Sequence, residues 1–155
     1  MSEPPGELLG RLRPIPTFRD HPAAIASDIE GIDLEGTVHH VAVASSPGPV
    51  LLLFLSSGCE GCRDLWSGID DLRRLLPAEL AVVVVTRGEG DEDRAAVALV
   101  APPGAEVVMS SAAYDDFMVA GPPFCAVVQG GEVRTEAVAW GVEETAHLVR
   151  TALGA

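Results

Sequence analysis

The chain contains no lysine and no asparagine, and all ten of its basic residues are arginine. Mechanisms that need a Schiff-base lysine, a phosphate-loop lysine or an asparagine side chain are therefore excluded. Aromatic residues make up only 5% of the 155 positions. Positive charge is scarce too: 23 Asp and Glu outnumber the arginines and leave a formal charge of -13. Such a field repels nucleic acid and anionic lipid, so neither is expected as a partner. No apolar run approaches the ~20 residues of a membrane helix; Val50 to Leu55 spans six. Met1 to Gly10 carries neither a basic cluster nor a long apolar stretch, so no signal peptide or anchor is read there. The cytoplasm is the expected compartment, or an extracytoplasmic one should an anchor precede the given start. Three cysteines are too few, and odd in number, for a disulfide framework.

What is present describes one folded domain. A length of 155 residues with 48% hydrophobic content and a mean hydropathy of +0.28 suits a single core and excludes a disordered chain. Residues 1–27, with Pro14, Pro16 and Pro22, read as an irregular N-terminal extension, and residues 28–155 as the domain. Gly31 to Gly36 reads as a turn leading into a short strand or hairpin over Val38, Val41 and Val43. Val50 to Leu55 reads as a strand covered on both faces. After Ser56-Ser57-Gly58 the period becomes helical, with Leu65, Ile69, Leu72 and Leu76 on one face until Pro77. Leu80 to Thr86 is a second buried strand, rich in β-branched residues. The acidic run Glu89 to Asp93 then reads as a solvated cap on a helix ending near Leu99. A short strand over Val107 to Met109, a short helix over Ala112 to Met118, a hairpin from Phe124 to Ala139 turning at Gly130-Gly131, and a last helix over Val142 to Leu153 complete the chain. The order predicts an α/β fold with a mixed central sheet between helices.

The chemistry is concentrated in Cys59-Glu60-Gly61-Cys62, where the buried strand gives way to the helix. Spacing of i to i+3 on a first helical turn brings two sulfurs within the Cβ separation of ~3.5 to 4.5 Å that a disulfide needs. The helix start aims free N–H groups at the first sulfur and favours its thiolate. Cys59 is thus the candidate nucleophile. Cys62, one turn deeper, is the candidate resolving thiol. Half a zinc site has the same spacing, but no second C-x-x-C follows; the nearest further ligands are Cys125 and the adjacent His39 and His40, which point to opposite faces of a strand. No metal is assigned. His21, His39, His40 and His147 read as surface or core histidines, and Cys125 as a buried small hydrophobe.

Leu51 to Arg63, containing F-L-S-S-G-C-E-G-C, resembles the active-site strand and turn of thioredoxin-like proteins, in particular the TlpA/MauD group. Gly121-Pro122-Pro123-Phe124-Cys125-Ala126-Val127-Val128 resembles the segment in which that fold places its cis-proline. The likeness covers roughly residues 28 to 153. It implies a thioredoxin-like fold and a thiol-disulfide oxidoreductase active on protein disulfides or dithiols, working as a monomer and needing no bound cofactor. It also implies that Pro123 is the cis-proline across from Cys59, with Gly58, Glu60, Pro122 and Pro123 framing the substrate groove. Two departures stand out. The buried Asp that thioredoxins proper carry six residues before the first Cys is Leu53 here, leaving water or Glu60 to move a proton to or from the resolving Cys. Pro122 removes an N–H otherwise offered to the substrate backbone, a bond worth ~0.5 to 1.5 kcal/mol. Glu60 also sets a negative charge between the sulfurs, which disfavours thiolate and points to a reductant.

Two alternatives use the same residues. A peroxiredoxin motif, P-x-x-x-[ST]-x-x-C, is matched by Ser56 and Cys59, but Leu52 occupies its proline. A non-catalytic accessory or metal-binding module of the same fold is the other.

Overall fold

The computed structural model describes residues 25–154. The proline-rich segment expected to be irregular lies outside the described residues, except for its last three positions. Of these, Ile25 bridges to Glu132, and the Ala26 N–H donates to the Gly131 carbonyl at 2.9 Å.

Strand β3, Val50–Phe54, sits at the centre, and each of its side chains is buried, as is the following Leu55. Strand alternation sends Leu51, Leu53 and Leu55 into one layer and Val50, Leu52 and Phe54 into the other. A strand with no polar face needs neighbours on both edges and helices over both faces. It pairs in parallel with β4 (Ala81–Thr86) and antiparallel with β6 (Phe124–Gln129). Beyond them lie β5 (Glu106–Met109) on one side and β7 (Glu132–Val138) on the other, and the hairpin of β1 (Ile29–Ile32) and β2 (Val38–Val41) closes the far edge. The order is β2-β1-β5-β4-β3-β6-β7. The β6–β7 hairpin turns on Gly130 and Gly131, both at positive φ (63° and 79°); tight two-residue turns matched to sheet twist demand this, and glycine adopts it without strain.

Among the described residues five α-helices cover the sheet: α1 (Arg63–Ser67), α2 (Ile69–Leu75), α3 (Arg94–Val100), α4 (Ser111–Asp116) and α5 (Val142–Ala152). Leu65, Trp66, Ile69, Leu72, Val97, Ala146 and Val149 pack on the Leu51/Leu53/Leu55 layer. Ala113, Tyr114 and Phe117 cover the Leu52/Phe54 layer, where the Phe54 and Tyr114 rings meet edge to face with centroids 5.1 Å apart.

Local corrections to the sequence reading have physical causes. The helix expected over Leu65 to Leu76 is divided at Gly68, where a Cβ would stand 2.5 Å from Val142 Cγ2. The start of α5 packs directly on that bare backbone, and the Gly68 N–H bonds to the Asp64 and Leu65 carbonyls at 2.9 and 3.2 Å. Leu65, Ile69, Leu72 and Leu76 remain buried on one face. The turn read over Gly31 to Gly36 is shorter: Gly31 and Ile32 belong to β1, and Asp33 closes the turn by accepting the Glu35 and Thr37 N–H groups, each at 2.9 Å. Val38 is exposed at the sheet edge rather than alternating inward with Val41 and Val43.

Because Leu53 is fully buried between Val84 and Cys125, Leu53→Ala is expected to cost about 2–5 kcal/mol in urea denaturation. The exposed Leu99, changed to Ala, is expected to shift stability by no more than about 0.5 kcal/mol.

Candidate active site

At the carboxyl end of β3 the chain leaves the sheet through Ser56-Ser57-Gly58, then makes one 3₁₀ turn, Glu60–Cys62, before α1 begins. Cys59 caps that turn from an extended conformation (φ -89°, ψ 122°), its N–H donating to the Ser56 carbonyl at 3.4 Å. The Cys62 N–H donates to the Cys59 carbonyl at 3.1 Å. The two cysteines therefore bracket a 3₁₀ turn, not the first turn of an α-helix. Open α/β sheets place their sites at this edge, where strands end and helices begin.

All three thiols are free. Cys59 is half-buried and lines a cleft of about 550 Å³ with Gly58, Glu60, Arg63 and Trp66. Cys62 is 0% exposed. Burial pushes the Cys62 thiol up to about 12, helped by its hydrogen bond with Cys59 and by the neighbouring Cys59 and Glu92 charges, while the Ser56 backbone N–H works the other way. Two neighbouring sulfurs, one open and one closed to solvent, can exchange a partner's disulfide for their own.

The Pro122–Pro123 peptide bond is cis. Pro123 faces the turn so closely that a Cβ on Gly61 would lie 3.4 Å from its ring carbons. The Pro123 carbonyl accepts the Ala139 N–H at 3.3 Å, so the loop before β6 is tied to the end of β7. Gly58, Glu60 and Pro123 thus gather around Cys59 and Gly61, with Pro122 on the far side of the cis bond. Cys125 does not join them; it lies fully buried on β6 opposite Leu53. His39 and His40 stand on β2 with carboxylate partners, His39 Nε2 3.0 Å from Glu106 and His40 Nε2 3.5 Å from Asp28. Among the described residues, no three His, Cys, Asp or Glu side chains gather to hold a metal.

Glu60 lines the cleft beside Cys59. Its side chain is 80% exposed and pairs with Arg63 at 3.5 Å, which turns its charge outward. Glu92, from the loop between β4 and α3, adds the smallest of the influences on the Cys62 thiol, disfavouring its ionised form. That loop is more than a solvated cap, since Glu92 Oε2 accepts a 2.6 Å hydrogen bond from Ser57 Oγ. Arg87, at the start of the same loop, stacks 4.2 Å from the Tyr114 ring and donates to the Ala120 carbonyl at 3.1 Å, just ahead of the proline pair. The Tyr114 hydroxyl donates to the Leu55 carbonyl at 3.2 Å. Trp66 Nε1 donates to the Ser56 carbonyl at 3.0 Å. Trp140, 73% exposed, follows the residue that bonds Pro123. Arg87, Glu92 and Tyr114 were not legible as neighbours of the site, because only the fold brings their loop and helix to the end of β3; the one local hint was the isolated acidic run.

Comparison with known proteins bears on the fold. No family model matches the chain, and no curated protein sequence does. Solved structures do: the thioredoxin domain of a thiol-disulfide oxidoreductase from Bacteroides vulgatus is 17% identical with a TM-score of 0.62, covering 86% of this chain and 97% of that one. The exposed lipoprotein thioredoxin of Streptococcus pneumoniae is 17% identical with a TM-score of 0.63, covering 83% and 100%. Peroxidoxin BcpB from Mycobacterium tuberculosis is 16% identical with a TM-score of 0.63, covering 85% and 95%. The chain has a thioredoxin-like fold. Among the described residues no helix is long and apolar enough to cross a membrane.

The buried Cys125 thiol gives a pH test of the packing around the site. Burial raises it from 9.0 to about 12, against a hydrogen bond from the Ala137 backbone. A folded state that favours the neutral thiol has that stability in full below about pH 9 and loses it as pH rises toward 12. Urea midpoints of the reduced protein are expected to fall above pH 9, and Cys125→Ala is expected to flatten part of that fall.

Proposed function

We propose that the protein is a thiol-disulfide oxidoreductase acting on protein partners, with Cys59 as nucleophile, Cys62 as resolving thiol, and Gly58, Glu60, Pro122 and Pro123 framing the groove. The observation that carries this reading is the unequal access of two sulfurs one 3₁₀ turn apart, Cys59 opening on the cleft and Cys62 closed behind it. In the first step the Cys59 thiolate attacks one sulfur of a partner disulfide; a Cys59–partner bond forms, the partner's S–S bond breaks, and its leaving thiolate takes a proton from water. Cys62 then gives up its proton to water and attacks the Cys59 sulfur. The Cys59–Cys62 bond closes as the partner's second thiolate leaves, and two electrons have passed to the partner. An external dithiol restores the pair.

We assign the direction as reduction of the partner. A buried thiol whose ionised form is disfavoured by its surroundings makes the matching disulfide harder to reduce, which suits an electron donor. The carboxylate supporting this is Glu92 rather than Glu60. The net charge of -13 favours partners with basic surface around their cysteines.

Insulin reduction by the wild type is expected to be dithiol-dependent and to fall to background in Cys59→Ser. Cys62→Ser is expected to accumulate a mixed disulfide through Cys59 that non-reducing electrophoresis detects. Peroxide consumption is expected at background. Fast peroxide turnover with no insulin reduction would replace this reading with the peroxidase that the fold also serves.

A further inference from the structure

We infer that Glu92 is a positioning residue of the dithiol: through Ser57 its carboxylate holds the turn in front of Cys59, and its charge lowers the reduction potential of the Cys59–Cys62 pair. The inference deepens the oxidoreductase reading and rests on it.

The acidic run is the starting point, because its members divide their work. Glu89 pairs with Arg94 Nε at 2.7 Å. Asp91 accepts the Ser111 hydroxyl at 2.8 Å. Asp93 caps α3 by accepting the Ala95 N–H at 3.1 Å. Glu92 alone among them reaches across to the Ser56–Gly58 turn, and its bond to Ser57 Oγ at 2.6 Å has the length of a charge-assisted hydrogen bond. The same Oε2 also accepts the Asp93 N–H at 3.2 Å, which fixes the carboxylate from its own loop.

The turn it holds carries the contacts that matter to both sulfurs. The Ser56 carbonyl accepts the Cys59 N–H and the Trp66 indole N–H, and the Ser56 N–H faces the Cys62 sulfur. Shifting Ser57 therefore moves the donor that favours the Cys62 thiolate. The titratable groups acting on Cys62 are Cys59 across the turn and Glu92 from the loop after β4, and Tyr114, from α4 on the other face of the sheet, is coupled to the same charges. Glu60 is paired with Arg63 at the exposed surface, where solvent screens its charge. Leu53 leaves no carboxylate beneath the pair, so Glu92 supplies the fixed negative charge of the site.

The consequence for the half-reaction follows from its balance. The disulfide takes up two electrons and two protons to give two thiols; once pH is high enough for one sulfur to remain a thiolate, a second negative charge nearby opposes the reduced form. Glu92→Gln keeps an acceptor for Ser57 and removes the charge. Ser57→Ala keeps the charge and removes the bond.

The test is equilibration of the full-length protein with glutathione buffers between pH 6 and 9, reading the Cys59–Cys62 disulfide by mass. Glu92→Gln is expected to stabilise the reduced form by about three- to tenfold, tenfold being ~30 mV for a two-electron couple. The gap from wild type is expected to widen as pH rises. Ser57→Ala is expected to lack that widening, and Glu92→Asp, which retains the charge, to keep the wild-type pH slope even if Glu92→Gln folds poorly. A Glu92→Gln curve within twofold of wild type at every pH, or one matching Ser57→Ala, overturns the inference while leaving the oxidoreductase reading intact. A wild type that never joins Cys59 to Cys62 overturns both.

Discussion

Burial of β3 on both faces is the constraint from which the site follows. With six successive side chains from Val50 to Leu55 removed from water, the strand has no freedom of register, since a one-residue slip would exchange its two layers. Its end is therefore fixed against β4 and β6, and the backbone that emerges at Ser56 starts from a rigid platform. The dithiol inherits that rigidity: Cys59 stands where the apolar run stops, and Cys62 is carried back into the layer that already holds Leu53, Leu65 and Trp66.

The asymmetry between the sulfurs is a packing result before it is a chemical one. One 3₁₀ turn separates them, enough to leave Cys59 at the cleft and close Cys62 beneath it. Burial then disfavours the Cys62 thiolate, so the two sulfurs differ in charge preference as well as in access. The loop after β4 supports both walls of the cleft, Arg87 reaching the segment before the cis-proline and Glu92 reaching the turn before Cys59. A site assembled at the ends of adjacent parallel strands gains this kind of mutual support from topology.

Much of this was readable from the chain. The apolar run of β3, the β-branched run of β4 and the Gly130-Gly131 hairpin each have a local pattern with one structural solution, and the C-x-x-C after the first of them marks the chemistry. Other features lack a local signature. Gly68 divides the expected helix because α5, more than 70 residues later, packs onto it. Glu60 looked like the charge governing the pair because it lies between the cysteines, but a surface arginine one turn away turns it outward. Glu92 looked like one acid among several, and its role depends on a hydrogen bond across 35 residues. Spacing within an element was legible; pairing between elements was not.

The central claim is that Cys59 and Cys62 interconvert between dithiol and disulfide while Cys125 stays out of the cycle. Titrating the native protein through dithiothreitol buffers and mapping each state by mass spectrometry after alkylation tests it directly. The expected result is a single reversible two-electron transition in which Cys59 and Cys62 lose their labels together and Cys125 remains unreactive until the protein is unfolded. Cys59 and Cys62 remaining separately alkylated under every oxidising buffer, or a Cys125 disulfide forming instead, would contradict it.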